Sequence, residues 1–133
     1  MTYLLDTSAI SAIMRGDGKM ASWLSSVGTD DRVVVCPVTR GEILFGLERL
    51  AAGKRRSDLE VKARILFAAL ACEPIPPGAG DHYAYVKVAR QRRGLPLDEN
   101  DLWIAATALA IGATLVTCDT DFREIQDLAI VVP

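Results

Sequence analysis

The sequence predicts a three-layer α/β/α fold with a central, mainly parallel sheet. Short β-prone runs at residues 3–5, 32–36 and 114–117 are separated by segments whose apolar residues recur at helical spacing. Strands that alternate with helices pair in parallel and carry helices on both faces of the sheet. The chain has 133 residues, half of them hydrophobic, so we expect residues 1–133 to form a single domain.

The first third of the chain predicts strand, carboxylate and helix in that order. Residues 3–5 form an apolar run that ends at Asp6, after which Thr7 or Ser8 can cap a helix to about Met14. A second helix is expected over residues 20–27. The β-branched run at 32–36, which stops at Pro37, predicts the next strand.

Two capping-box patterns predict the helices of the middle third. Residues 39–42, with Thr first and Glu fourth, predict a helix that ends at Gly53. Residues 57–60 repeat the pattern and predict a helix that runs through Cys72. The prolines at 74–77 require extended backbone, where a short strand is possible.

The last third predicts two helices and two strands. Residues 80–91 have helical spacing, and acidic residues at 98–101 open a helix that Gly112 ends. Strands are expected at residues 114–117 and 129–132. The longest uncharged stretch, 102–118, breaks at Gly112, which favours a buried helix and strand over a membrane span.

Composition and termini favour a cytoplasmic protein. The three cysteines show neither a metal-binding spacing nor an even count for a disulfide framework. The N-terminus has no basic segment and meets Asp6 at once, which is not typical of a secretory signal. We therefore expect a reducing compartment and no membrane association.

Acidic residues follow the predicted strands or open the next helix. Ligands of open α/β sheets bind beyond the carboxyl ends of the strands, and the acids placed there are Asp6, Glu42, Asp101, Asp119 and Asp121. Taken singly, each could serve a helix cap or a turn. Gathered on one rim they would repel each other by about 3 kcal/mol for a pair about 5 Å apart at an effective dielectric constant of about 20. A bound cation is the simplest way to offset that repulsion.

The oxygen-only donor set favours Mg²⁺ or Mn²⁺, and such a site suits phosphodiester hydrolysis. Other chemistries have weaker support. His82, the only histidine, has no serine or cysteine motif beside it, and no glycine-rich segment has the spacing of a nucleotide-binding loop.

Charge is segregated along the chain. Residues 40–97 carry eleven basic and six acidic side chains, whereas residues 98–133 carry one and seven. The basic clusters at 54–56 and at Arg90, Arg92 and Arg93 would ordinarily be solvated helix ends, but they can also contact a phosphate backbone beside the acidic rim.

Four short motifs, in order, resemble those of the PIN-domain ribonucleases, and among these the VapC-type toxins of prokaryotic toxin–antitoxin pairs. They are Leu-Asp-Thr-Ser at 5–8, Thr-Arg-Gly-Glu at 39–42 with Gly46, Asn-Asp-Leu-Trp-Ile-Ala-Ala at 100–106, and the segment at 115–122. The resemblance covers the whole chain and implies a PIN-like fold.

The resemblance also assigns roles to individual residues. It implies catalytic acids at Asp6, Glu42, Asp101 and Asp119. It implies metal ligation by Asp6, Asp101, Asp119 and Asp121, with polar support from Thr7 and Thr117. It implies no role for Asp98.

By resemblance, the protein is expected to be an endoribonuclease toxin of a type II toxin–antitoxin system that hydrolyses RNA with a water activated by Mg²⁺ or Mn²⁺. A homodimer and a cognate VapB-type antitoxin, whose tail covers the site, are also implied. Two alternatives stay open. A non-catalytic RNA- or partner-binding module would lack a carboxylate, and a haloacid-dehalogenase-like phosphatase would carry Asp where Ser8 stands.

Overall fold

A computed structural model describes residues 1–133 and shows one sheet of five parallel strands. The strands are β1 (Thr2–Leu5), β2 (Arg32–Val35), β3 (Ala71–Cys72), β4 (Thr114–Val116) and β5 (Ile130–Val131). Their order across the sheet is β3-β2-β1-β4-β5, and every neighbouring pair is parallel. The predicted parallel sheet is thereby confirmed.

Six α-helices connect the strands. They are α1 (Thr7–Met14), α2 (Gly18–Ser26), α3 (Pro37–Glu48), α4 (Lys54–Ala69), α5 (Gly78–Arg92) and α6 (Glu99–Ile111). A short 3₁₀ turn follows β4 at Thr120–Phe122. Even the longest helix, α4 with 16 residues, falls short of the length and apolar character that a bilayer crossing demands.

Alternate residues of the central strands β1, β2 and β4 point into two separate cores. Leu4 and Leu115 pack with residues of α5 and α6 on one face of the sheet. Their neighbours Leu5 and Val116 pack with residues of α1, α3 and α4 on the other face. Helices therefore cover both faces, as the predicted three-layer α/β/α architecture requires.

The predicted capping box at residues 39–42 is wrong. Helix α3 begins three residues earlier, with Cys36 as the N-cap and Pro37 at the first helical position, where the missing N–H of proline needs no partner. Thr39 thus lies inside the helix, fully buried, and its hydroxyl donates to the carbonyl oxygen of Leu5 at 3.4 Å.

The boundaries of α4 also differ from the prediction. Gly53 is the residue before the first turn of α4 rather than the end of α3, so residues 57–60 lie within the helix. The helix ends at Ala69, and Ala71–Cys72 then pairs with β2. No strand forms over the prolines at 74–77, where the proline nitrogens have no N–H to donate to a ladder.

Candidate active site

The carboxyl end of the central strand β1 opens a crevice. The chain passes from β1 to β2 on one side of the sheet, and β4 later inserts on the other side of β1. This reversal of strand order is the position at which open α/β sheets bind ligands. Asp6 directly follows β1 and stands at this point.

Asp6 is buried, with 3% of its surface exposed, and it is held by three hydrogen bonds. Its Oδ1 accepts from the Ser8 hydroxyl at 2.7 Å and from the backbone N–H of Ala9 at 2.8 Å, which caps α1. Its Oδ2 accepts from the Thr117 hydroxyl at 2.5 Å. Of about four lone-pair positions on the carboxylate, one on Oδ2 stays open.

The pKa of Asp6 reflects opposing effects. Burial raises it above its ordinary value, and the charge of Asp119 acts in the same direction. The hydrogen bonds from Thr117, Ser8 and Ala9 lower it but do not offset the burial.

Hydroxyl groups tie the end of β4 to the start of α1. The hydroxyls of Ser8 and Thr117 lie 3.2 Å apart, and the backbone N–H of Cys118 donates to Ser8 Oγ at 2.9 Å. The backbone N–H of Asp119 donates to Thr117 Oγ1, also at 2.9 Å. This network fixes the segment that carries Asp119 relative to Asp6.

Glu42 reaches the site from the second turn of α3. Its Oε1 accepts a hydrogen bond of 2.6 Å from the hydroxyl of Thr7, the first residue of α1. Since α3 starts at Pro37, the capping interpretation of Glu42 is wrong, and its carboxylate connects two helices instead. Its Oε2 accepts no hydrogen bond and stays available.

Asp101 differs from the other acids because no hydrogen bond reaches its carboxylate. It lies half-buried in the first turn of α6, on the rim formed by the other acids. Burial, followed by repulsion from Asp98, Glu42, Asp6 and Asp119, raises its pKa from 3.8 to about 6. All four acids predicted to be catalytic are therefore close enough to act on one another electrostatically.

Asp98 and Asp121 have more local roles. Asp98 caps α6, because its Oδ2 accepts from the backbone N–H of Asn100 at 3.2 Å. Asp121 is exposed and donates its backbone N–H to Asp119 Oδ1 at 2.8 Å, which is the turn that its sequence context predicts. Its own carboxylate makes no hydrogen bond.

The donor chemistry of the rim suits a hard divalent cation. Every side-chain atom of the rim that is free to bind a metal is a carboxylate oxygen, and the half-buried carboxylate of Asp101 accepts no hydrogen bond. No three acidic, histidine or thiol side chains already surround a single point. Mg²⁺ usually keeps several waters and takes one or two protein carboxylates directly.

The capping roles predicted for Ser8 and Thr39 miss the tertiary contacts of both side chains. Ser8 instead links Asp6, Thr117 and Cys118, and Thr39 binds the backbone beneath the end of β1. A hydroxyl two residues after a strand-end carboxylate is the signal that could have identified Ser8. For Thr39 the signal was masked by Glu42 three residues later.

Comparison with known proteins agrees with this geometry. The model of the PIN domain family matches residues 3–128. Ribonuclease VapC1 of Haemophilus influenzae is 30% identical over 131 residues, which cover 96% of this chain and 95% of that protein. Toxin FitB of Neisseria gonorrhoeae is 29% identical over 98% of this chain and 96% of its own length.

Solved structures show the same fold. VapBC-1 from nontypeable H. influenzae is 27% identical with a TM-score of 0.85, covering 98% of this chain and 97% of that chain. VapBC2 from Rickettsia felis, bound to a DNA fragment from its promoter, has a TM-score of 0.88 at 22% identity and covers 98% of both chains. The chain belongs to the PIN-domain family, among the VapC ribonucleases.

Proposed function

We propose that this protein is a divalent-metal-dependent endoribonuclease that acts as the toxin of a type II toxin–antitoxin system. In this proposal residues 1–133 form a single nuclease domain. The observation that carries the proposal is the half-buried Asp101 carboxylate, which has no hydrogen-bond donor and faces the charges of Asp6, Glu42 and Asp119. The VapC ribonucleases to which the chain is similar support the choice of RNA as substrate.

Asp101 and Asp6 are the first candidates to hold Mg²⁺ or Mn²⁺. Asp101 offers both carboxylate oxygens, whereas Asp6 offers the one lone pair left on Oδ2. Asp119 and Asp121, on the turn after β4, complete the donor set. When bound, the ion would lower the pKa of a water and neutralise charge on the scissile phosphate.

The other residues orient these acids. Thr7 holds Glu42 by one oxygen, which leaves Oε2 able to accept a hydrogen bond from an attacking water. Thr117 and Ser8 hold Asp6 at the end of β1. The carboxylates of Asp6 and Glu42 are therefore already oriented before a substrate binds.

The acidic rim also specifies what a neutralising partner must bring. A VapB-type antitoxin is proposed because the similar structures include VapBC and FitAB assemblies. Guanidinium binds carboxylates in a bidentate manner, so an arginine on the antitoxin tail would take the electrostatic place of the metal. We further propose that the protein forms a homodimer. We also propose a cytoplasmic location, since three free cysteines suit a reducing compartment.

The test is RNA cleavage by the purified protein in EDTA, followed by re-addition of Mn²⁺ or Mg²⁺. We expect cleavage to stop in EDTA and to return with either ion. Asp30→Asn, at an exposed acid before β2, is a control that should behave as the wild type. Full cleavage in EDTA by a preparation free of contaminating nuclease would overturn the metal dependence.

The toxin role has its own test. Induced expression of this chain should arrest growth, and an Asp101→Asn variant expressed to the same level should not. If the wild-type chain leaves growth and bulk translation unchanged in several hosts, the toxin proposal fails even where cleavage is seen in vitro.

A further inference from the structure

The basic side chains expected to contact a phosphate backbone divide into committed and free groups. Arg56 pairs with Glu60 at 2.6 Å and Glu48 at 3.2 Å, and it donates to the carbonyl of Leu50. Arg90 is buried and donates to three backbone carbonyls, those of Leu95, Arg123 and Asp121. Both arginines stabilise the fold and are not available to RNA.

Arg55 is free, and the structure places it in a groove that begins at the acidic rim. The groove lies between α1, α3 and α4 and has a volume of about 350 Å³. Thr7 and Glu42 line it at the site, and Arg15 and Arg55 line it as well. The guanidinium groups of Arg15 and Arg55 form no ion pair or hydrogen bond, and both residues are exposed.

The walls of the groove suit a nucleotide chain. Ile43, Leu47 and Leu59 give it apolar surface against which sugars and base faces can pack. Gly46 of α3 also lines it, and a Cβ at that position would meet no atom within 4 Å. The glycine therefore leaves open space that a larger side chain would fill.

An RNA strand at the rim needs cations nearby. Its phosphates are repelled by Asp6, Glu42, Asp101 and Asp119, and a metal ion at the rim offsets this only locally. Two unpaired guanidinium groups in the groove that contains Glu42 supply the missing attraction, and their planar donors match phosphate oxygens.

We propose that Arg15 and Arg55 bind backbone phosphates of the RNA substrate and so position the strand across the crevice. This inference rests on the proposed ribonuclease function and names the residues that hold the substrate next to the cleavage site. RNA is favoured over an acidic peptide because the groove shares Thr7 and Glu42 with the site, so a strand cleaved there passes over it.

The experiment measures binding without cleavage. A short fluorescein-labelled single-stranded RNA of mixed sequence is titrated in EDTA with the wild type and with an Arg15→Gln/Arg55→Gln double variant, between about 50 and 200 mM salt. Loss of two phosphate contacts should weaken affinity by at least about tenfold and reduce the salt slope by about 1.4, since each contact on a single strand contributes about 0.7.

Two further variants separate charge from shape and from folding. Arg92→Gln removes an exposed, unpaired charge from α5, on the opposite face of the sheet, and should change neither affinity beyond about twofold nor the salt slope. Gly46→Leu fills the groove without a change of charge, so it should weaken RNA binding while the melting temperature stays the same or rises.

The outcomes are distinct from those of the nuclease test. Unchanged RNA affinity and slope in the double variant, or no RNA binding by the wild type, would overturn the proposal. So would a double variant that loses its antitoxin but keeps RNA, because the groove would then belong to a peptide. If the double variant loses RNA while the wild type binds RNA but cleaves none, the groove proposal stands and the nuclease proposal fails.

Discussion

The two sides of the crevice are built by different physical means. On the strand side, Asp6 is buried and accepts hydrogen bonds from Ser8, Ala9 and Thr117. On the helix side, Asp101 has no hydrogen-bond donor at all, although it is half-buried among like charges. Hydrogen bonds fix the side chain of Asp6, whereas only the backbone of α6 positions Asp101.

The two acids therefore differ in what they contribute: Asp6 stabilises the fold, whereas Asp101 is available to bind a cation. Burial raises the pKa of Asp6, but its side chain also caps α1 and accepts from two hydroxyls, and these contacts contribute to folding whether or not a cation is present. A carboxylate without donors, repelled by its neighbours, opposes folding until a cation arrives. The comparison therefore predicts opposite stability effects for substitutions on the two sides, although both should abolish activity.

The largest expected effect belongs to Asp6→Ala. It removes the cap of α1 and leaves the hydroxyls of Ser8 and Thr117 without their acceptor, so the free energy of unfolding should fall by about 2–4 kcal/mol. Urea denaturation in EDTA checks this. Asp6→Asn, which keeps a capping oxygen, is the matched control and should lose less stability. An Asp6→Ala variant as stable as the wild type would break the comparison on its strand side.

Asp101→Asn is expected to act in the opposite direction on stability. RNA cleavage should fall by more than the roughly 10–100-fold typical of losing an outer partner of a metal site. In EDTA the variant should melt at the same or a higher temperature than the wild type, because one repelling charge is gone, and it should gain less from Mn²⁺. A destabilised but active variant would mean that Asp101 serves α6 rather than the site.

Thr7→Val tests the support of Glu42. The substitution removes the 2.6 Å hydrogen bond while it keeps the shape of the side chain, so we expect roughly tenfold slower cleavage and a loss of about 0.5–1.5 kcal/mol of stability. Thr7→Ser, which retains the hydroxyl, should restore both. Equal activity of the Val and Ser variants would show that Glu42 does not depend on Thr7.

A pH dependence of stability in EDTA is also expected. The pKa of Asp101 is raised from 3.8 to about 6, so the folded state binds a proton more tightly than the unfolded chain does. The free energy of unfolding should therefore fall as pH rises between about 4 and 6, with the contribution present below that range and lost above it. Asp101→Asn should reduce this slope and leave the part due to Asp6, whose pKa burial also raises, and an equally steep slope in the variant would contradict the contribution assigned to Asp101.

Much of the fold and the choice of acids followed from local pattern. Strand-end positions predicted that Asp6 and Asp119 would share one edge of the sheet, because parallel strands bring their carboxyl ends together. The left-handed end of α6 at Gly112, with φ of 66°, followed from its glycine. Such features depend on a few neighbouring residues, which the sequence displays directly.

The errors concern places where tertiary contacts override local signals. Thr39 and Glu42 have the spacing of a capping box, yet Pro37 starts the helix earlier, and each side chain then finds a distant partner, the backbone of Leu5 and the hydroxyl of Thr7. Arg90 lies in a basic cluster that predicts phosphate contacts, but its guanidinium donates hydrogen bonds to three backbone carbonyls instead. Apart from Leu95, these partners lie 30 or more residues away and leave no local spacing to detect.

The most direct test of the account is Mn²⁺ binding, measured by isothermal titration calorimetry on the wild type, Asp101→Asn and Asp30→Asn. We expect saturable binding by the wild type and by Asp30→Asn, whose charge change lies outside the crevice, and at least about tenfold weaker binding by Asp101→Asn. Equal Mn²⁺ affinity in all three proteins would contradict the claim that the unpartnered carboxylate of Asp101 is the core of a metal site.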